Sequence, residues 1–443
     1  MSGIAGIAQK DQSVLVNRML DKIAHRGPAG RYVLTDRQCT LGVVWPDSQP
    51  EAGRLLESLR IAFDEVDNSH YATASADGFL LKRDLVGAAP LYYGHTADGT
   101  LCCASEVKAL LEATSDINEL PPGNILDGTQ LHPHDWITYK PLLKFPPEQI
   151  AQELCRQLER AVKKHLTGSE AGVWLSGGMD SSLLAVLARP HVGRLHTFSG
   201  GLPGAPDLEY ARQVAGQLQS EHHEVLISLE DCLAVLPELI HALESFDALL
   251  VRSSLINYFV AKISCQFVPA VFSGEGADEL FAGYAYLKRY PVGLLSPLLI
   301  EITKELHNTV LQRVDRCASA HGLIVHLSYL DADVLDYALR IPARYKIVQG
   351  VEKWILRQAA SGKLPDAICN RPKAVIWQGG GVGVLLADHA DEHISTADFE
   401  REKHLPNGWV LNSREELMYY RIFKEHFGEF KDLKWMGRTK NIP

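Results

Sequence analysis

Val173-Trp-Leu-Ser-Gly-Gly-Met-Asp-Ser-Ser-Leu-Leu-Ala-Val-Leu187 is the stretch on which the reading of this chain turns. Val173 to Leu175 have the apolar character of the end of a buried strand, Ser176 to Ser182 read as a tight loop, and Leu183, Leu184 and Leu187 fall on one face of a helix. Gly177 and Gly178 let the backbone bend close to a ligand, while Ser176, Ser181 and Ser182 add hydroxyls beside amides that open a helix N-terminus. That combination favours a bound phosphate or pyrophosphate. A Walker-type loop needs Gly-x-x-x-x-Gly-Lys-[Ser/Thr]; no Lys follows here, and Asp180 instead offers a carboxylate to a magnesium ion bridging to phosphate.

The rest of the chain bounds this reading. At 443 residues it exceeds one ordinary core, and about two to three domains are expected. Hydrophobic residues at 46% and charged residues at 22% belong to a soluble globular protein. A net charge of −10 without a basic block gives a nucleic-acid partner little electrostatic support. The eight cysteines show no Cys-x-x-Cys pair and no zinc-like Cys/His spacing, which fits free thiols in a reducing compartment. No apolar run approaches the ~18 residues of a membrane span and no secretory leader is visible, so a cytoplasmic protein is expected.

Ser176-Gly-Gly-x-Asp-Ser-Ser182 is the signature of the ATP-pyrophosphatases, and with its surroundings the chain resembles the asparagine synthetases. Ser273-Gly-Glu-Gly-Ala-Asp-Glu-Leu-Phe-Ala-Gly-Tyr284 nearly completes a second segment of that family. The resemblance implies that ATP and pyrophosphate are held by Leu175, Ser176, Gly177, Gly178, Asp180, Ser181, Ser182, Phe198, Ser199, Ser273 and Gly274, with Asp180 and Asp278 as ligands of Mg²⁺. It implies Glu275 as the proton acceptor from attacking ammonia, where the related β-lactam and carbapenam synthetases carry Tyr. Within Arg371-Pro-Lys-Ala-Val-Ile-Trp-Gln-Gly-Gly-Gly-Val-Gly383, Lys373 is the point charge expected over the α-phosphate.

For the acceptor, His241-Ala-Leu-Glu-Ser-Phe-Asp-Ala-Leu-Leu-Val-Arg-Ser-Ser254 resembles a family segment in which Glu244 and Arg252 match and two Thr positions are Leu249 and Leu250 here. Arg252 is expected to grip a substrate carboxylate or phosphate by a two-pronged contact. Further on, Ile324 and His326 replace a Glu and an Arg. These losses of polar groups make aspartate a poor expected acceptor.

Residues 1–140 resemble the glutaminase domain of class II glutamine amidotransferases. There the residue after the initiator Met is a nucleophilic Cys; here it is Ser2, and Ala29 stands where the family has Asp. A serine hydroxyl is a poor nucleophile with only an α-amine as base, so loss of glutaminase activity is expected. Leu81-Lys-Arg-Asp-Leu-Val-Gly-Ala-Ala-Pro-Leu-Tyr-Tyr-Gly94 and Ala104-Ser-Glu-Val-Lys-Ala-Leu110 match family segments as well, and the alternation around them reads as an antiparallel β layer.

The expected fold is α/β: a vestigial, Ntn-hydrolase-like antiparallel layer over 1–140, then over 141–443 a doubly wound parallel-sheet ATP-pyrophosphatase domain with a helical C-terminal region. Ile150, Leu154, Leu158 and Val162 predict a helix packed on that sheet, and Asp207 is expected to cap another. His222 and His223 are not expected to share one metal ion, because neighbouring strand residues face opposite ways.

The reaction implied is adenylation of a small carboxylate followed by attack of ammonia or a small amine, drawn from solution or from a partner protein. No nucleic-acid or membrane partner is expected, and the sequence leaves open whether the chain forms a homodimer. Two alternatives stand beside it: an intramolecular cyclase of the β-lactam synthetase or lasso-peptide kind, and an ATP-pyrophosphatase acting on tRNA.

Overall fold

The computed structural model describes residues 2–46, 61–67, 70–135, 137–372 and 379–438, the stretch 61–67 by its backbone alone. Its N-terminal strands are β1 (Gly3–Ile7), β2 (Gly30–Thr35), β3 (Thr40–Trp45), β4 (Ile61–Asp67), β5 (His70–Ser75), β6 (Leu80–Arg83), β7 (Tyr92–His95), β8 (Leu101–Ala104), β9 (Asn118–Glu119), β10 (Asn124–Asp127) and β11 (Gln130–Pro133). They pair antiparallel in two sheets, ordered β2-β3-β1-β8-β7-β9 and β11-β10-β6-β5-β4. Alternation sends Ile4, Leu41 and Val43 of the first sheet and Ala72, Ala74 and Leu81 of the second into one shared apolar layer. The other face of the first sheet is covered by helix Ser13–Lys22, which buries Val16, Met19 and Leu20. At Gly42 the approach is so close that a Cβ would lie 2.7 Å from both Val16 and Leu20.

Two charged residues organise the turn after β6. Asp84 accepts from the N–H groups of Val86, Gly87, Ala88 and Ala89 at 2.8–3.2 Å. Buried Arg83 donates to the carbonyls of Gly87, Ala89 and Leu120 at 2.7–3.0 Å. Between them they satisfy backbone groups that no ladder reaches, which explains why this turn tolerates buried charge.

Helix Pro147–Lys164 starts on a Pro in its first turn and buries Ile150, Leu154, Leu158 and Val162, the face the spacing predicts. The parallel sheet follows, with β12 (Glu170–Trp174), β13 (Arg194–Gly201), β14 (Glu221–Leu226), β15 (Ala270–Phe272) and β16 (Ile324–His326) in the order β14-β13-β12-β15-β16. The order turns back at β12, whose neighbours β13 and β15 diverge in sequence, and a crevice opens at the carboxyl ends there. Helix Pro206–Leu218 has Pro206 in its first turn and Ala205 at its cap; Asp207 does not cap it, because its carboxylate pairs with Arg371. The chain beyond residue 328 is mainly helical. Among the described residues no helix is long and apolar enough to cross a membrane.

A buried charge cluster joins the antiparallel and parallel halves. Arg26, fully buried, donates to both oxygens of Asp315 at 2.9 and 3.0 Å, to Glu106 at 2.9 Å and to the Ser2 carbonyl at 2.9 Å. Arg316 pairs with Glu106 at 2.8 Å and Glu244 at 3.0 Å, and Lys108 pairs with Glu106. Burial pushes the Glu106 carboxyl up, but Lys108, His25 and Arg316 outweigh it and hold the group well below its usual range. Three cations against three carboxylates make such burial tolerable, and removal of any one would strand a charge.

Candidate active site

At the end of β12 the Leu175 N–H donates to the Phe198 carbonyl at 2.7 Å, and the chain then leaves the sheet. Gly177 has φ +67°, and a Cβ there would lie 2.4 Å from Tyr210, so this turn needs glycine. Helix Met179–Ala188 begins at once with Gly178 as its cap, which puts Ser181 and Ser182 in its first turn rather than in a loop. Ser176 Oγ lies 3.2 Å from Ser181 Oγ, and the buried Ser182 hydroxyl has no hydrogen-bond partner among the described residues. The Ser176 and Ser181 hydroxyls thus meet beside a helix N-terminus, whose first-turn N–H groups have no intrahelical partner, an arrangement suited to an anion.

The second turn arrives from β15. Ser273 N–H donates to the His326 carbonyl at 3.1 Å, and Gly274 then presses on the first helix: a Cβ there would lie 3.1 Å from Ser181 N and 3.2 Å from Asp180 Cβ. Lys353, buried and with a left-handed backbone at φ +54°, completes the junction, its Nζ 2.6 Å from Asp180 Oδ2 and 2.6 Å from Asp278 Oδ1. Asp180 Oδ1 is buried without a hydrogen-bond partner among the described residues. Two carboxylates, one with an orphaned oxygen, form the hard-oxygen donor set that suits Mg²⁺.

The cleft in front of this junction is lined by Ser176, Gly178, Met179, Asp180, Asp207, Glu352, Lys353, Arg357, Arg371 and Pro372. Arg371 crosses it, paired with Asp207, donating to the Ser176 carbonyl at 3.2 Å and lying 4.1 Å over the Tyr210 ring. Lys373 lies outside the described residues. Nothing local in the sequence marks Lys353, because its partners are carboxylates on two other segments.

Glu275 is paired at 2.6 Å with Arg313 of helix Val310–Ser319, which fixes its carboxylate. Its neighbour Glu279 is buried and hydrogen-bonded by the Tyr284 hydroxyl. Burial, aided by Asp278, pushes the Glu279 carboxyl from 4.5 up to about 7. No local feature marks this titrating group in the sequence, since burial is a tertiary property.

Several expected contacts are occupied otherwise. The Phe198 ring is buried against His223 at 5.0 Å and His196 at 6.3 Å, the Ser199 hydroxyl bonds His222 at 3.1 Å, and β13 runs on to Gly201, so neither side chain offers itself at the strand end. Arg252 does grip a carboxylate, but that of Glu415 from helix Arg414–Phe427, with Nε at 3.1 Å. Glu244 belongs to the buried charge cluster, accepting from the Val107 and Lys108 N–H groups at 2.9 and 2.6 Å, and is not free for a substrate. Leu249 and Leu250 sit in the first turn of helix Ala248–Ser264, capped by Asp247. Ile324 pairs with Ala270, two residues back from the carboxyl edge, and is a core residue rather than a pocket wall.

With this geometry in place, comparison with known proteins agrees. The sequence profile described as "Asparagine synthase" matches residues 153–298 and 294–440, and that described as "Glutamine amidotransferase domain" matches 71–161. Asparagine synthetase B [glutamine-hydrolyzing] of Escherichia coli is 32% identical over 382 residues, covering 79% of this chain and 68% of that protein. Asparagine synthetase [glutamine-hydrolyzing] 2 of Arabidopsis thaliana is 33% identical over 379 residues, covering 79% of this chain and 64% of that one. The chain therefore spans about two thirds of the length of these relatives. Among solved structures, an NMN synthetase from Francisella tularensis aligns with 68% of this chain at 16% identity and a TM-score of 0.30, too loose a likeness to bear on function. The chain belongs to the asparagine synthase family and is an ATP-dependent carbon–nitrogen ligase of that type.

Proposed function

We propose that the chain adenylates a carboxylic acid with ATP and passes the acyl group to ammonia or a small amine, releasing AMP and pyrophosphate. The meeting of the two glycine turns at Lys353 carries this reading, because it gathers anion-binding amides, two carboxylates and a fixed cation in one cleft. ATP, as substrate, lies along Ser176–Ser182 and Ser273–Gly274. Asp180 and Asp278 would hold Mg²⁺, which supplies charge neutralisation to the departing pyrophosphate. Lys353 contributes a fixed positive charge beside the reacting phosphate, and Lys373 is the further charge proposed over the α-phosphate. The substrate carboxylate attacks the α-phosphorus; the amine then attacks the acyl carbon and gives its proton to Glu275, which Arg313 orients.

Residues 1–140 form, on this reading, a glutaminase-like domain without glutaminase activity, and 141–443 the synthetase domain. Ser2 supports this, buried at the domain junction with its carbonyl held by Arg26. Ammonia comes from solution or from a partner protein. The acceptor is a carboxylic acid other than aspartate: Leu249 and Leu250 remove hydroxyls, and Glu415 already fills the Arg252 fork.

The test is exchange of labelled pyrophosphate into ATP across a panel of carboxylic acids, followed by nucleotide analysis with ammonia present. AMP and an amide are the expected products. Formation of ADP rejects the adenylation scheme.

A further inference from the structure

His196 is the third residue of β13 and Glu221 the first of β14, so both lie toward the amino ends of the sheet, away from the ATP cleft. The parallel register sets His196 beside Glu221 and Phe198 beside His223, which turns His196, His223 and Glu221 to one face. His196 Nδ1 lies 3.1 Å from His223 Nε2 and 3.7 Å from Glu221 Oε2. One ligand atom from each residue falls within 4.8 Å of the others.

We propose that His196, His223 and Glu221 bind a divalent transition-metal ion of the zinc class. Tetrahedral zinc with bonds of ~2.0–2.1 Å holds its ligand nitrogens about 3.3 Å apart, close to the separation these two rings already have. Two imidazoles and a carboxylate are a borderline donor set that favours zinc over magnesium or calcium. Arg194 engages Glu221 through Oε1 at 3.0 Å, which leaves Oε2 facing His196. The other His196 nitrogen, Nε2, is buried without a hydrogen bond among the described residues and lies 3.8 Å from Glu170 Oε2. A carboxylate behind the far nitrogen is the usual means of orienting a ligating histidine. Phe267 packs 3.9 Å from the His223 ring and limits its rotation. β14 is an edge strand, so the ion would fasten it to β13 by side chains as well as by its single ladder.

The simpler arrangement is a direct hydrogen bond between the two imidazoles, and experiment separates the two. Untagged full-length protein is stripped with EDTA, dialysed, and titrated with Zn²⁺ in competition with a chromophoric chelator. Wild type is expected to take one zinc per chain, with a rise in melting temperature that EDTA reverses. His223→Ala should weaken binding by about 100-fold or more and Glu221→Gln by about tenfold. His222→Ala, whose ring bonds Thr197 and Ser199 on the other face, should bind as wild type does. Co²⁺ in wild type should give the intense visible absorption of a tetrahedral site, and His223→Ala should lose it. Equal zinc affinity in wild type and His223→Ala, or no stoichiometric zinc in wild type, overturns the proposal. His223→Ala and Glu221→Gln leave the buried His196 in place, and a circular dichroism spectrum like that of wild type separates lost zinc from lost fold.

Discussion

Replacing Lys353 with Met tests the junction directly. The ammonium lies 2.6 Å from each of two carboxylates whose side chains are only 14% and 12% exposed, so the two oxygens it joins stand within about 5 Å of each other. Without the ammonium, two like charges that close repel by ~3 kcal/mol at an effective dielectric constant near 20, similar to the usual cost of breaking a buried ion pair. Lys353→Met should therefore melt well below wild type at pH 8 in EDTA. Millimolar Mg²⁺ should restore most of that loss and raise wild type much less, because a divalent ion on Asp180 and Asp278 replaces the missing charge only in the variant. Pyrophosphate exchange should stay depressed by about 100- to 1000-fold even with Mg²⁺, the range for removing one fixed charge from an active site. The measurement is a thermal melt of both proteins with EDTA and with Mg²⁺, beside an exchange assay. An unchanged melt in EDTA, or an equal Mg²⁺ increment in both proteins, would refute the reasoning.

Other outcomes follow from the same geometry. Asp180→Ala should abolish acid-dependent pyrophosphate exchange while the fold persists by circular dichroism; retained exchange removes Asp180 from the metal site. Glu244→Gln should lower stability by ~3 kcal/mol, since it leaves three buried cations facing two carboxylates, and leave the preferred acid unchanged; a switch in acid preference would return Glu244 to the substrate pocket. Because the Glu279 carboxyl rises from 4.5 to about 7 on folding, the native state holds a proton that the unfolded chain has lost. Stability should then be greatest below pH 4.5 as far as this group is concerned and decline by up to ~3 kcal/mol as pH passes 7, a slope that urea titrations of Glu279→Gln should lack. Incubated with glutamine, the purified chain should release no glutamate above a protein-free control.

The sequence by itself determined the parts whose physics is local. A glycine turn after the Val173–Leu175 strand, a helix behind it and the fourfold apolar spacing of residues 150–162 all follow from backbone and periodicity, and the structure has all three, although the helix already begins at Met179, inside the stretch read as loop. Matched segments also located the second turn at Ser273–Gly274. Only tertiary structure decided which charges meet, because a side chain's partner depends on packing and register, not on neighbours in sequence. Lys353 finds Asp180 across 173 positions, and Glu244 is drawn into the domain junction. Glu415 fills the guanidinium fork of Arg252, and strand register brings His196 to His223.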